Sequence, residues 1–354
     1  MFQKTHYVAN GDGWLLALKQ TYDPGKLRKE LRPLAIVPGY GMNAFIFGYH
    51  PTGMSMEAYW AGRGFEVWSL NLRAQGGSRR QGGRRSYGFH EAGVIDLGCA
   101  LEYVARNTVT GADRVDGVGC SLGGTYLYVY LAAMREKSRL GSLVAMGAPL
   151  RWTEIHPALK AVFSSPFLVG QIRMRGTRHL ARLGVPILKR LPKLLHLYMH
   201  PEIIDTYKMG EMVQTIEDPN PVLNREIAEW IRSVDLHVNG VNVTEGVAAA
   251  VNPLLVVLAN ADGIVPVASA LSAQEVMASP VKDVLRVGTG EVAVAHADLF
   301  ISEISREWVF EPLADWLVRQ NQPASHPLQG GARGKGGARG NRGRKRQGGA
   351  SHAP

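Results

Sequence analysis

The sequence predicts an α/β fold, a mainly parallel sheet with helices on both faces and a helical cap inserted late in the chain. Three observations predict it. Short runs that are wholly or almost wholly apolar, such as LAIV from Leu34, SLVAM over 142–146 and PLLVVLA over 253–259, suit strands covered on both faces. Stretches with helical spacing separate them, which is the order of a parallel sheet with crossover helices. Over 151–234 this rhythm stops, and Pro157, Pro166, Pro186, Pro192 and Pro201 punctuate short helical patterns such as ILKRLPKLLHLYM.

Each element has its own signal. Residues 7–22 read as two strands around the turn Asn10-Gly11-Asp12-Gly13. LAIV follows and ends in Pro38-Gly39. FEVWSLNL over 65–72 is a strand closed by RAQGGS, and 94–106 has apolar residues at helical spacing. RVDGVG over 114–119 is a strand, 125–134 continues a helix, and 142–146 is the next strand. After the cap come the strands 253–259 and VLRV over 284–287. The expected organisation is a core of 1–150 and 235–320, a cap of 151–234 and a tail of 321–354.

At 354 residues, 45% hydrophobic and 20% charged, the chain has ample apolar side chain for one large core. Its net charge of +10 is unevenly spread. The tail holds seven Lys/Arg and no acid; residues 151–200 hold nine Lys/Arg against Glu154, a balance of +8; the rest carries −5. The Gly/Arg-rich stretch QGGARGKGGARGNRGRKRQGG has no large apolar residue to anchor the tail, which reads as disordered, either solvated or in contact with anionic surfaces or RNA. The basic cap reads either as helices with a solvated face or as a lid toward an anionic or interfacial substrate. No apolar run approaches the roughly 18 residues that cross a bilayer, and the N-terminus lacks an export signal. Cys99 and Cys120 are too few for a disulfide framework and lack metal spacing, so a cytoplasmic setting is expected. No cofactor or metal is expected; GARGKGGARG follows no strand and is not a phosphate loop.

Gly119-Cys120-Ser121-Leu122-Gly123 matches the elbow G-x-S-x-G, and it stands where the motif needs to stand, between a strand and a helix. Strand and helix crowd each other around such a turn, so only tiny residues fit two places either side of the nucleophile. Ser121 satisfies that rule with Gly119 and Gly123; Cys120, flanked at that distance by Val118 and Leu122, does not. A serine hydroxyl needs a base. His296, after VLRV and before the final helix, occupies the place the chain order Ser…Asp…His requires. Asp262, after the most hydrophobic strand, is the expected orienting acid; Glu154 is the reserve, and Asp298 reads as a cap of the last helix. Oxyanion donors are expected from the N–H of Leu122 and from the Pro38-Gly39-Tyr40-Gly41 turn, Tyr40 first and Gly41 as alternative.

Four segments in order, IVPGYGMN, GRGFEVWSLNLRAQGGS, GVGCSLGG, and NADGIVP with AHADL, resemble the α/β-hydrolase superfamily over about residues 5–320. The likeness falls on two branches: capped esterases and lipases, and polyhydroxyalkanoate synthases, through Leu122-Gly123-Gly124 with Pro38 and Asn43. The synthases use cysteine where this chain has Ser121. The resemblance implies the α/β-hydrolase fold and a serine hydrolase acting on small-molecule or lipid-like acyl esters. Apolar cap residues Phe163, Phe167, Leu168 and Leu188 suggest a hydrophobic acyl group. Two alternatives stand beside it: acyl transfer, including polyester synthesis or turnover, and a catalytically silent fold used as a binding module.

Overall fold

The chain is seen in a computed structural model that describes residues 1–172, 175–188 and 195–322. It begins with an antiparallel hairpin, β1 (Phe2–Ala9) and β2 (Trp14–Tyr22). Asn10 Oδ1 shapes the turn, accepting from the N–H of Asp12 (2.8 Å) and Trp14 (3.1 Å). Then follow β3 (Leu34–Val37), β4 (Val67–Asn71), β5 (Arg79–Arg80), β6 (Val115–Cys120) and β7 (Leu140–Met146). A separate two-stranded ribbon, β8 (His237–Val238) with β9 (Val241–Asn242), precedes β10 (Leu254–Ala259) and β11 (Lys282–Val287).

The large sheet has the order β1-β2-β4-β3-β6-β7-β10-β11, with β5 paired to β2. From β4 to β11 every pairing is parallel; the hairpin strands and β5 are antiparallel. Every residue of β3, β6 and β10 is buried; β3 and β10 are continuous apolar runs, and in β6 the buried Asp116 is paired with Arg32 at 2.7 Å. Alternate residues serve opposite faces. Ala35 and Val37 join the cluster containing α2 (Leu97–Asn107), α3 (Leu122–Met134) and the helix Val267–Val276. Leu34 and Ile36 join the cluster containing α1 (Met56–Gly62) and the helix Glu311–Gln320. The chain leaves β3 toward β4 on one side and returns to β6 on the other. That reversal falls at the carboxyl ends of β3 and β6, where ligands usually bind in such sheets.

Among the described residues, no strand of the large sheet lies between β7 and β10. That interval includes α4 (Pro157–Val162), α5 (Pro166–Val169), α6 (Thr177–Leu188), and the helices Met209–Met212 and Pro221–Ser233. Its two ends are tied together. Arg151 and Asp235 form an antiparallel bridge and an ion pair at 2.7 Å, and Trp152 N–H donates to Val234 O at 3.1 Å. Phe163 packs on the core, whereas Phe167 and Leu168 are 71% and 64% exposed. The helix expected over 94–106 starts earlier, with a π turn over Glu91–Asp96 leading into α2. Of the tail read above as disordered from 321, Asn321 is instead tied to the sheet, accepting from Arg32 N–H (2.8 Å) and donating to Asp116 Oδ2 (2.9 Å), while 323–354 lie outside the described residues, as do 189–194 of the pattern ILKRLPKLLHLYM. Residues Met1–Asn321 form one compact unit.

Candidate active site

Ser121 closes β6 and opens α3 with φ 54° and ψ −127°, a backbone conformation that costs a non-glycine residue energy and holds its side chain clear of the sheet edge. The crowding rule holds in detail. A Cβ on Gly119 would lie 2.2 Å from Gly124 Cα, and one on Gly123 would lie 2.1 Å from Val37 O. Cys120 points the other way into the core: it is buried, and burial pushes its thiol well up, so it is a packing residue.

His296 and Asp262 come from loops after β11 and β10. His296 Nδ1 lies 2.7 Å from Asp262 Oδ2, and both side chains are almost fully buried. Asp262 Oδ1 accepts from the N–H of Ile264 (2.8 Å) and Val265 (2.9 Å), which orients the carboxylate. Facing a carboxylate, Nδ1 carries the proton, and Nε2 is left with a free lone pair. Among the described residues Ser121 Oγ has no hydrogen-bond partner, so the serine–imidazole bond is not formed. Both groups nevertheless pack on the end of β7. Ser121 N–H donates to Met146 O at 2.7 Å, and a Cβ on the next residue, Gly147, would lie 3.0 Å from His296 Cε1 and 3.3 Å from Asp262 Oδ2.

The loop after β3 lies over the elbow: a Cβ on Gly39 would be 2.9 Å from Ser121 Cβ. The register of β3 on β6, Val37 opposite Gly119, puts them side by side. Among the described residues the N–H groups of Tyr40, Gly41 and Leu122 have no protein acceptor. Gly41 has φ 62°, a conformation that favours glycine. The Tyr40 side chain turns away, its hydroxyl donating to Asn224 Oδ1 at 2.5 Å while burial pushes it up to about 12.

Of the other acids singled out in the sequence, Glu154 stays in reserve and Asp298 departs from its expected place. Glu154 reaches Ser269 through its backbone, and the acid beside His296 is Asp262. Asp298 does not cap the last helix. Its carboxylate accepts from Ala295 N–H (2.7 Å) and His200 N–H (3.0 Å) and meets His200 Nδ1 at 2.9 Å, fastening the His296 loop to the cap. The last helix instead continues from a π turn at Arg306–Phe310. Burial raises the Asp298 carboxyl despite these donors.

Sequence reasoning missed several neighbours. Asn260 stitches the loops of Asp262 and His296 together, its Nδ2 donating to Thr289 O (2.8 Å) and Val292 O (3.1 Å) while its Oδ1 accepts from Val294 N–H (2.8 Å). Tyr198, from the cap, packs its ring 6.0 Å from that of His296. Asn260 did carry a signal, standing at a strand end two residues before Asp262; Tyr198 carried none. Among the described residues no cluster of three or more His, Cys, Asp or Glu is arranged to hold a metal ion.

A family model, that of the alpha/beta hydrolase family, matches residues 34–317. No curated protein matches the chain. Solved structures similar in fold include an aryl esterase, so described provisionally, from Burkholderia cenocepacia (17% identity, TM-score 0.56, covering 90% of this chain and 99% of that one). An Exiguobacterium antarcticum esterase aligns at 14% identity and TM-score 0.59, covering 88% and 98% of the two chains. A thermophilic esterase from Thermogutta terrifontis aligns at 16% and 0.58, covering 91% and 100%. At these identities the likeness is one of fold.

Proposed function

Because the chain belongs to the alpha/beta hydrolase family, with a hydrolase fold over its core, we propose that it is a serine esterase for carboxylic esters of hydrophobic acyl groups. The observation that carries the reading is the 2.7 Å contact between His296 Nδ1 and Asp262 Oδ2 at the sheet rim where Ser121 stands in its strained elbow. In this mechanism Ser121 Oγ attacks the acyl carbonyl as His296 Nε2 takes its proton. Asp262 holds the imidazole in the required tautomer and stabilises the imidazolium. The N–H groups of Leu122 and Tyr40 receive the oxyanion, with Gly41 as the alternative donor. His296 then protonates the departing alcohol, and water, activated by the same imidazole, releases the acid from Ser121. The serine–imidazole bond, open here, tightens when substrate binds.

Met42 and Tyr198, whose Sδ and hydroxyl approach to 3.9 Å, give an apolar wall between the oxyanion loop and His296, which favours a hydrophobic acyl group. The unpaired thiols of Cys99 and Cys120 accord with a cytoplasmic setting. No helix among the described residues is long and apolar enough to cross a membrane. A series of p-nitrophenyl esters of increasing acyl length tests the reading. Saturable turnover is expected, rising from acetate to longer chains and lost about 10³-fold or more in Ser121→Ala. No turnover at any length, or wild-type rates in Ser121→Ala, would overturn it.

A further inference from the structure

We propose that Glu217, a carboxylate of the cap, is a positioning residue for the oxyanion loop, aiming the Tyr40 N–H through Gly41 and Asn43. The inference rests on the esterase reading above and concerns the same site.

The loop after β3 has few bonds of its own to hold it. What holds it is the segment 214–217, more than 170 residues away in the chain. Glu217 N–H donates to Gly41 O at 2.7 Å, and Asn43 N–H donates to Thr215 O at 2.9 Å, so Met42 and Ile216 form an antiparallel bridge. Side chains complete the attachment. Asn43 Nδ2 donates to Gln214 O (2.9 Å) and to Glu217 Oε1 (2.5 Å), and Thr215 Oγ1 donates to Asn43 O (3.1 Å). The two peptide units on either side of Met42 are therefore held by the segment 214–217, which anchors the far end of the short loop that carries the Tyr40 and Gly41 N–H groups.

Glu217 does more than close this bridge. Its Oε1 also accepts from Gly76 N–H (2.8 Å), in the turn between β4 and β5, and from Arg178 Nη2 (3.1 Å), at the start of α6. One oxygen thus joins three segments: the oxyanion loop, the β4–β5 turn and the cap helix. Arg178 Nε adds a bond to Ile216 O at 3.1 Å. The turn is itself rigid, because Arg73 is fully buried between Asp96 (2.8 Å) and Asp12 (2.6 Å). Asn43 is 3% exposed and the Glu217 side chain 19%, so water competes less for the bond between them than for those from Gly76 and Arg178, which are exposed. A carboxylate only accepts, and donors from a main chain, an amide and a guanidinium converge on it. Since the loop lies over Ser121, a small drift of the Tyr40 N–H moves it away from where the oxyanion forms, and such displacements are costly to rate.

The test compares a p-nitrophenyl ester with its thionoester in wild type, Glu217→Ala and Glu217→Gln. Sulfur is a weak acceptor, so the thionoester draws less on the oxyanion donors. In Glu217→Ala, kcat for the ester is expected to fall about tenfold or more, with KM within about threefold, and the preference for ester over thionoester to narrow by a similar factor. Glu217→Gln still accepts from Asn43 and Gly76, and is expected to keep kcat within about threefold. If Glu217→Ala does not fold, Thr215→Val removes only the hydroxyl's bond to Asn43 O, and a narrowing of about threefold is expected there. Equal slowing of both substrates, or no change, would overturn the proposal while leaving the esterase reading intact. A wild-type chain that turns over neither substrate and takes no fluorophosphonate label would overturn the esterase reading, and this one with it.

Discussion

At Gly123 a side chain would stand 2.1 Å from the Val37 carbonyl oxygen, and main chain on both sides leaves it nowhere to move. Gly123→Ala is therefore expected to lose about 2–3 kcal/mol of stability, read as a lower urea midpoint; a midpoint equal to wild type would show that the elbow has slack. The same residue scale decides the acid. Asp262→Asn keeps the shape but lets the amide donate to Nδ1, stabilising the wrong imidazole tautomer. A fall in kcat of about 10⁴ with little change in KM is expected, and a fall under tenfold would mean that Asp262 does not orient the base. Ser121 and its flanking glycines could be read from the sequence because sterics confine them to a five-residue motif. Glu217 could not: its partners at 43, 76 and 178 come together only once a loop, a turn and a helix have packed against one another.

Among the elements, the apolar runs of β3, β7 and β10 identified themselves, because a strand buried on both faces has no polar position to interrupt it. The two-residue strands β5, β8 and β9 are too short to show any period, and their pairing depends on the strands they meet. The cap's ends are joined by a pair that responds to acid. Burial pushes the Asp235 carboxyl up, but hydrogen bonds from Arg151 and Thr244 and the Arg151 charge outweigh it and leave it below the usual value of 3.8. A carboxyl lowered in the folded state adds stability above its unfolded value and loses it as pH falls through the folded one. Asp235→Asn should therefore lower Tm by about 2 °C near neutral pH, the difference vanishing as pH drops below about 4. A difference that persists unchanged at pH 3 would show that charge is not what joins the cap's ends.

For the molecule as a whole, the sheet order does the converging. The reversal between β4-β3 and β6 sets the loop after β3 beside the elbow, and β10 and β11, continuing beyond β7, bring Asp262 and His296 to the same rim. Chain order alone was enough to nominate these residues, because a parallel sheet delivers each strand's carboxyl end to one edge. How the cap meets that edge was not legible. Tyr198 against His296, Asp298 on His200, and the bridge from Met42 to Ile216 depend on the path of a segment without regular period. Every other role proposed at this site depends on Ser121 as nucleophile, and mass mapping of a fluorophosphonate adduct tests that most directly. A single adduct on the peptide carrying Ser121, absent in Ser121→Ala and formed far more slowly in His296→Ala, is the predicted result. An adduct on another residue, or one that persists in Ser121→Ala, would contradict it.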